Sequence, residues 1–157
     1  MLKINNLLSG KLKPENASAG LILFKNKILL QKRDNKSDIF FPDFWGLFGG
    51  AKEKNETYVK CLVRELNEEI GLNFHKDRLQ FLCKHNLDFS PIKQKNVFRY
   101  YFIVNLNIKD YHKIELKEGQ KFKLFKLNEL MYSKIKIVPY DFFTIWLYKF
   151  KQKKNEA

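Results

Sequence analysis

Three carboxylates crowd one helical turn of this sequence: Glu65, Glu68 and Glu69, in the run Arg64-Glu65-Leu66-Asn67-Glu68-Glu69-Ile70-Gly71. At about 100° per residue, the spacing i, i+3, i+4 gathers them on one side of a helix. A core stripe of Val59, Leu62, Val63, Leu66 and Ile70 lies beside them. Like charges this close destabilise a helix unless a cation neutralises them. Hard divalent ions such as Mg²⁺ or Mn²⁺ take oxygen ligands of this kind, with water and substrate phosphate completing the shell. Arg64 lies one residue from Glu65 and four from Glu68. It can pair with Glu68 or with Glu56 near the helix start, and so orient the cluster. Gly49-Gly50 offers backbone that a metal or phosphate can approach with no side chain in the way. The competing explanation is a Glu-rich face turned to solvent, which is common on surface helices.

These groups need a strand to deliver the glycines and a helix to carry the glutamates, and the flanking pattern predicts both. Residues 19–24 and 27–33 read as two strands around a Lys25-Asn26 turn, the second alternating Ile28, Leu30 and Lys32 with Leu29, Gln31 and Arg33. After a loop over 34–43 comes the aromatic stretch Phe44-Trp45-Gly46-Leu47-Phe48, broken by the two glycines. The box of acidic residues is expected on a helix over 57–70, closed by Gly71 as a C-terminal glycine. Strands are expected at 79–85 and 98–106, the second apolar enough to run through the middle of a sheet, with a polar loop over 90–96. A strand at 121–126, a short helix around 128–131 and a closing helix over 140–150 complete the chain. Pro139 suits the first turn of that last helix, whose Phe143, Ile145, Trp146, Leu147 and Phe150 recur with helical period. No repeat, Gly/Ser linker or Pro-rich tract interrupts the pattern. One domain over 1–157 is expected, with its core at about 17–150 between a polar lead-in and a Lys-rich tail, and the order of elements predicts an α/β sandwich with a mixed β-sheet.

Residues Gly50, Glu56, Arg64, Glu65, Leu66, Glu68, Glu69, Gly71 and Leu72 fill every specified position of the pattern G-x5-E-x7-R-E-U-x-E-E-x-G-U, where U is bulky and aliphatic. Nine fixed positions over 23 residues make a specific signal. On this segment the chain resembles the Nudix hydrolase family, in its MutT-like form. The approach Trp45-Gly46-Leu47-Phe48-Gly49-Gly50 is similar to the strand entering that family's box, with Phe48 where proline is more usual. The resemblance implies a Nudix-type α/β/α sandwich and Mg²⁺-dependent hydrolysis, with Mn²⁺ as a substitute, of a nucleoside diphosphate linked to another moiety. It also implies that Glu65, Glu68 and Glu69 hold the metal with the carbonyl of Gly49 or Gly50, that Arg64 orients this catalytic set, and that Glu56 and Gly71 are structural. Either Glu65 or Glu118 would take the proton of the attacking water, the latter because Lys117-Glu118-Gly119-Gln120 resembles the distal glutamate loop of MutT-type members. Arg33 corresponds by position to an arginine that reaches the substrate in such members; otherwise it is an exposed strand-end charge. Trp45 and Phe48 are candidates for stacking on a base, with core packing the stronger alternative.

The complete box favours attack at phosphorus, and the Glu-Gly-Gln loop leans towards a (d)NTP cleaved to a monophosphate and pyrophosphate. An RNA 5′-end pyrophosphohydrolase and an inactive nucleotide- or RNA-binding module are the alternatives. Against a dedicated 8-oxoguanine role, Val138-Pro139-Tyr140-Asp141 lacks the asparagine expected there from the resemblance. Over 157 residues, thirty Lys and Arg against seventeen Asp and Glu give a formal charge of +13, which suits an anionic partner. The lysines are spread along the chain rather than gathered in a nucleic-acid-reading motif, so a small-molecule nucleotide is expected ahead of RNA. No apolar run approaches the roughly 18 residues of a membrane span, and no leader pattern opens the chain. Cys61 and Cys83 lack metal or disulfide-scaffold spacing. A cytoplasmic protein with reduced cysteines and no membrane partner is expected, as a monomer or homodimer.

Overall fold

The computed structural model describes residues 13–132 and 134–155; the start of the polar lead-in and the last two residues of the Lys-rich tail lie outside them. Strands β1 (Ala17–Phe24) and β2 (Lys27–Lys32) form a hairpin across Lys25 and Asn26, both at positive φ (47° and 60°). A two-residue turn of that hand matches the twist of paired strands. The hairpin pairs only from Ile22↔Leu29 to Phe24↔Lys27. Beyond that the strands part and the segment 45–51 enters between them. Its first residues, β3 (Trp45–Gly46), pair with Lys32 and Gln31 of β2, while Phe48 bridges Gly20 and Ala51 bridges Ala17 on β1. This split carries Gly49 and Gly50 to the middle of the sheet.

The sheet is mixed. Its order is β3-β2-β1-β5-β4, with β6 (Lys121–Lys126) on the other edge of β2. β5 (Val97–Asn105) runs parallel to β1 from Ala17↔Arg99 to Leu23↔Asn105 and antiparallel to β4 (Leu79–Leu87), so the apolar strand is internal as its composition predicts. Helix α1 (Tyr58–Ile70) starts where the Thr57 side chain accepts from the Lys60 N–H, and ends where Gly71 turns left-handed at φ 69°. Its Leu62, Leu66 and Ile70 pack on one sheet face with Ile22, Leu29, Phe48, Phe102 and Val104. The alternate residues Leu21, Leu30, Leu47, Tyr101 and Ile103 face the other way, against Ile145 and Tyr148 of the C-terminal helix. The period of two along each strand thus makes an α/β/α sandwich. Among the described residues no helix is long and apolar enough to cross a membrane.

Two elements differ from expectation. A five-residue helix α2 (Ile108–His112) follows β5, nucleated by a capping box between Asn107 and Asp110. Helix α3 (Leu127–Tyr132) falls as predicted, and the last helix, α4, runs over Pro139–Asn155. Its buried side is Asp141, Thr144, Ile145 and Tyr148, whereas Phe143, Trp146 and Phe150 are 40–50% exposed and pack on one another. The helix offers two stripes at helical spacing. The one turned inward carries a carboxylate that finds its donors there, since Asp141 accepts from the Leu47 N–H (3.0 Å) and the Tyr101 hydroxyl (3.0 Å).

Candidate active site

The strand entering the box is built around two glycines. The Ser18 N–H donates to the Gly50 carbonyl (3.1 Å) and the Gly20 N–H to the Phe48 carbonyl (2.8 Å), so the segment lies tight against β1. Gly49 stands at φ 132°, and a Cβ there would collide with the Ser18 carbonyl. A Cβ on Gly50 would come within 2.5 Å of the Glu65 carboxylate. Glu65 therefore rests directly on the backbone of Gly50, and only glycine leaves that space.

Arg64 ties the acidic cluster together. Its Nη1 donates to Glu65 Oε1 (2.8 Å) and to Glu68 Oε2 (2.9 Å), and its Nη2 donates to Glu56 Oε1 (2.8 Å) and to the Ala51 carbonyl (2.9 Å). The spacing offers Glu68 or Glu56 as partners; the folded chain uses both and adds Glu65. The Arg64 guanidinium holds the Glu56 carboxyl down at about 2, helped by the Glu53 N–H, which donates to it (2.7 Å). With its pKa depressed below the ordinary 4.5, Glu56 contributes stability that is complete above that value and is lost as pH falls through about 2. The stability gap between wild type and Glu56→Gln is expected to be widest above pH 4.5 and to close towards pH 2, as read by denaturant melts across that range.

Glu69 is buried on the core side of the cluster. Its Oε1 accepts from Gln31 Nε2 (2.7 Å) and its Oε2 from the Gly49 N–H (2.7 Å). Burial pushes its pKa up to about 8, against both hydrogen bonds, and burial also raises that of Glu65. Gln31 was not among the sequence candidates, although it shares the inward parity of Leu29 on β2. A polar residue at a core-facing strand position is the signal that points to it. The loop before β6 is fastened to the end of α1 by the Glu115 N–H on the Ile70 carbonyl (3.1 Å) and the Lys117 N–H on the Glu69 carbonyl (2.8 Å). Glu118 follows at once, and its charge is felt at both Glu65 and Glu69.

The remaining candidates separate. Arg33 donates from Nε to the Phe40 carbonyl (3.0 Å) and lines a cavity of about 280 Å³ with Phe40, Gly49, Gly50, Arg99 and Tyr140. Phe48 is fully buried under α1, with no ring face open to a base, so stacking is corrected to core packing. Trp45 sets its ring edge-on to Phe125 (4.9 Å, 80°) in the opposite core and is not among the residues lining the cavity. Cys61 is buried in α1 and free, and so is the half-buried Cys83.

The model of the NUDIX domain matches residues 14–144. This chain belongs to the Nudix hydrolase family. Within it, the chain is MutT-like and acts on phosphorus-containing acid anhydrides. An 8-oxo-dGTP diphosphatase of Buchnera aphidicola subsp. Schizaphis graminum is 31% identical over 121 residues, covering 77% of this chain and 84% of its own. A dihydroneopterin triphosphate diphosphatase of Escherichia coli K12 is 30% identical over 66 residues, 41% of this chain and 40% of that protein. The crystal structure of a MutT Nudix hydrolase from Burkholderia pseudomallei superimposes with a TM-score of 0.69 at 17% identity, over 86% of this chain and 98% of that one, and shows the same fold.

Nudix hydrolases generally use divalent metals, and the donor set of this Nudix hydrolase fits one. Among the described residues no three His, Cys, Asp or Glu side chains are grouped so that they could hold an ion as they stand. Glu65 and Glu68 nevertheless already converge on one cationic centre, Arg64 Nη1. The burial and crowding that raise Glu65 and Glu69 are relieved by a cation beside them. All the donors are hard oxygens, which suit Mg²⁺ or Mn²⁺ rather than a softer ion.

Proposed function

We propose that this Nudix hydrolase is a Mg²⁺-dependent nucleoside triphosphate pyrophosphohydrolase that releases a nucleoside monophosphate and pyrophosphate. The observation that carries this is the meeting of Glu65 and Glu69 on the Gly49–Gly50 backbone, with Arg64 linking Glu65 to Glu68, where that same backbone lines a cavity of about 280 Å³. That volume is just under the roughly 300 Å³ lower end of ligand sites, suiting a heterocycle rather than an extended polymer. The two relatives are each named for a triphosphate substrate, which supports the same class.

Glu65, Glu68 and Glu69 would hold the ion, which when bound polarises the bridging phosphate and lowers the pKa of the attacking water. Successive carbonyls of an extended strand point opposite ways, and those of Phe48 and Gly50 accept from β1. Gly49 is thereby the better backbone ligand of the two. Arg64 positions the carboxylates from behind, and Glu56 keeps Arg64 in place. Glu118 or Glu65 would accept the water's proton, Glu118 being the exposed one of the two. Arg33 lines the cavity, where its charge would suit phosphate.

A panel of (d)NTPs, nucleotide sugars, dinucleoside polyphosphates and 5′-triphosphorylated RNA, with products separated after incubation in Mg²⁺, tests the proposal. Monophosphate plus pyrophosphate from a (d)NTP is the expected result. A sugar phosphate, two nucleotides, or pyrophosphate from RNA alone would assign the site to another substrate class.

A further inference from the structure

Among the described residues, one buried side-chain nitrogen or oxygen lacks a hydrogen-bond partner: Nε of Arg99. Arg99 sits on β5 with the inward parity of Val97, Tyr101 and Ile103, and its side chain is 12% exposed. The guanidinium carbon lies 5.7 Å from the centre of the Tyr101 ring and 4.9 Å from that of Tyr140. Asp141 Oδ1 is 3.7 Å from Nε, beyond hydrogen-bond length, and that oxygen already accepts from the Tyr101 hydroxyl. Leaving a guanidinium donor buried and unpaired is costly, and such a group calls for a partner from outside the chain.

The cavity supplies the place. Arg99 lines it together with Phe40, Phe89, Tyr140 and the Gly49–Gly50 backbone on which Glu65 rests. A phosphate is the wrong occupant for this end. Asp141 already balances the charge of Arg99 through the close ion pair, and a dianion set beside a buried carboxylate would be repelled. A flat neutral ring between aromatic side chains adds no charge, and its acceptors can take hydrogen bonds from the guanidinium. Arginine has only donors to offer. It therefore pairs with an edge that shows a carbonyl oxygen beside a ring nitrogen, as guanine does, and meets a donor where adenine carries its amino group.

We propose that Arg99 is the specificity-determining residue of this site, selecting 6-oxo purine-type bases over 6-amino ones by donating to adjacent oxygen and nitrogen acceptors. This rests on the nucleotide-hydrolysing function proposed above for the same site.

The test measures binding of dGMP and dAMP by calorimetry, and kcat/KM for dGTP and dATP, on the full chain with Mg²⁺. Wild type is expected to favour the guanine nucleotide by about tenfold to a hundredfold, the discrimination typical of one bidentate arginine pair. Arg99→Met should lose most of that preference through weaker guanine binding, with adenine binding little changed. Arg99→Lys, which keeps the charge against Asp141, should fall between, and its ratio decides if Arg99→Met does not fold. An unchanged ratio in a folded variant, no base preference in wild type, or equal losses for both nucleotides would overturn the assignment. Glu68→Gln separates the two levels: lost turnover with the binding preference kept is expected. Full turnover in that variant would overturn the hydrolytic role of the cluster, while the binding ratio still judges Arg99.

Discussion

Glu68→Gln is expected to fold like wild type and to lose about 10²–10³-fold in kcat/KM on the nucleoside triphosphate, the scale of removing one preorganised electrostatic group from an active site. The fold should survive because the Glu68 side chain is 49% exposed and its bond to Arg64 is an i,i+4 ion pair at the surface. Such a pair is worth about 0.5 kcal/mol or less, and glutamine keeps an acceptor for the same Nη1. Glu69 would be a poorer choice, since it is buried and accepts the Gly49 N–H, so its loss mixes folding with chemistry. Thermal melts beside steady-state rates make the separation. A Glu68→Gln variant with wild-type rates would show that the exposed carboxylate has no part in the reaction.

The two glycines of the box strand should fail in different ways when replaced by alanine. At Gly49 the backbone is at φ 132° and the new Cβ meets the carbonyl of Ser18, a backbone atom held in the sheet. Strain and collision together place the expected destabilisation on the order of 4 kcal/mol or more, a large part of the roughly 5–15 kcal/mol that holds a domain folded. Gly49→Ala should therefore be recovered mostly as aggregate, or melt far below wild type. At Gly50 no φ penalty arises, and the atom in the way is the Glu65 carboxylate at 2.5 Å, a side chain able to swing aside. Gly50→Ala should fold and lose activity by about 10²-fold, since a displacement of an ångström at a catalytic group costs on that order. Chemical denaturation of the two variants, with activity measured on the soluble one, checks the pair.

The acidic cluster was legible because its geometry is local. A period of 3.6 places Glu65, Glu68 and Glu69 on one turn whatever surrounds them, and Gly71 marks the end of their helix. The sheet was legible for a similar reason, the uninterrupted apolar run of β5 fixing it as an internal strand. What lay hidden were partnerships across the chain. Gln31 meets Glu69 38 positions away, and Asp141 meets Leu47 94 positions away, through a strand split that no periodicity reports. Parity on β5 does turn Arg99 inward, but only the fold shows that it lines a cavity with its Nε lacking a hydrogen-bond partner. The period of the C-terminal helix was legible, but not which side it buries: that side carries Asp141 and Thr144, which bond to Tyr101 and His85 across the chain. The charge of +13 was equally remote from the site, which is built on a local concentration of negative charge.

The central claim is that carboxylates on one turn of α1 hold a divalent ion for phosphoanhydride hydrolysis, and phosphorus-31 NMR of a single dGTP reaction tests it most directly. With Mg²⁺ the signals of dGMP and pyrophosphate should grow together; excess EDTA should stop them, and added Mg²⁺ should restart them. Turnover that continues in EDTA, or orthophosphate appearing with dGDP, would contradict the account.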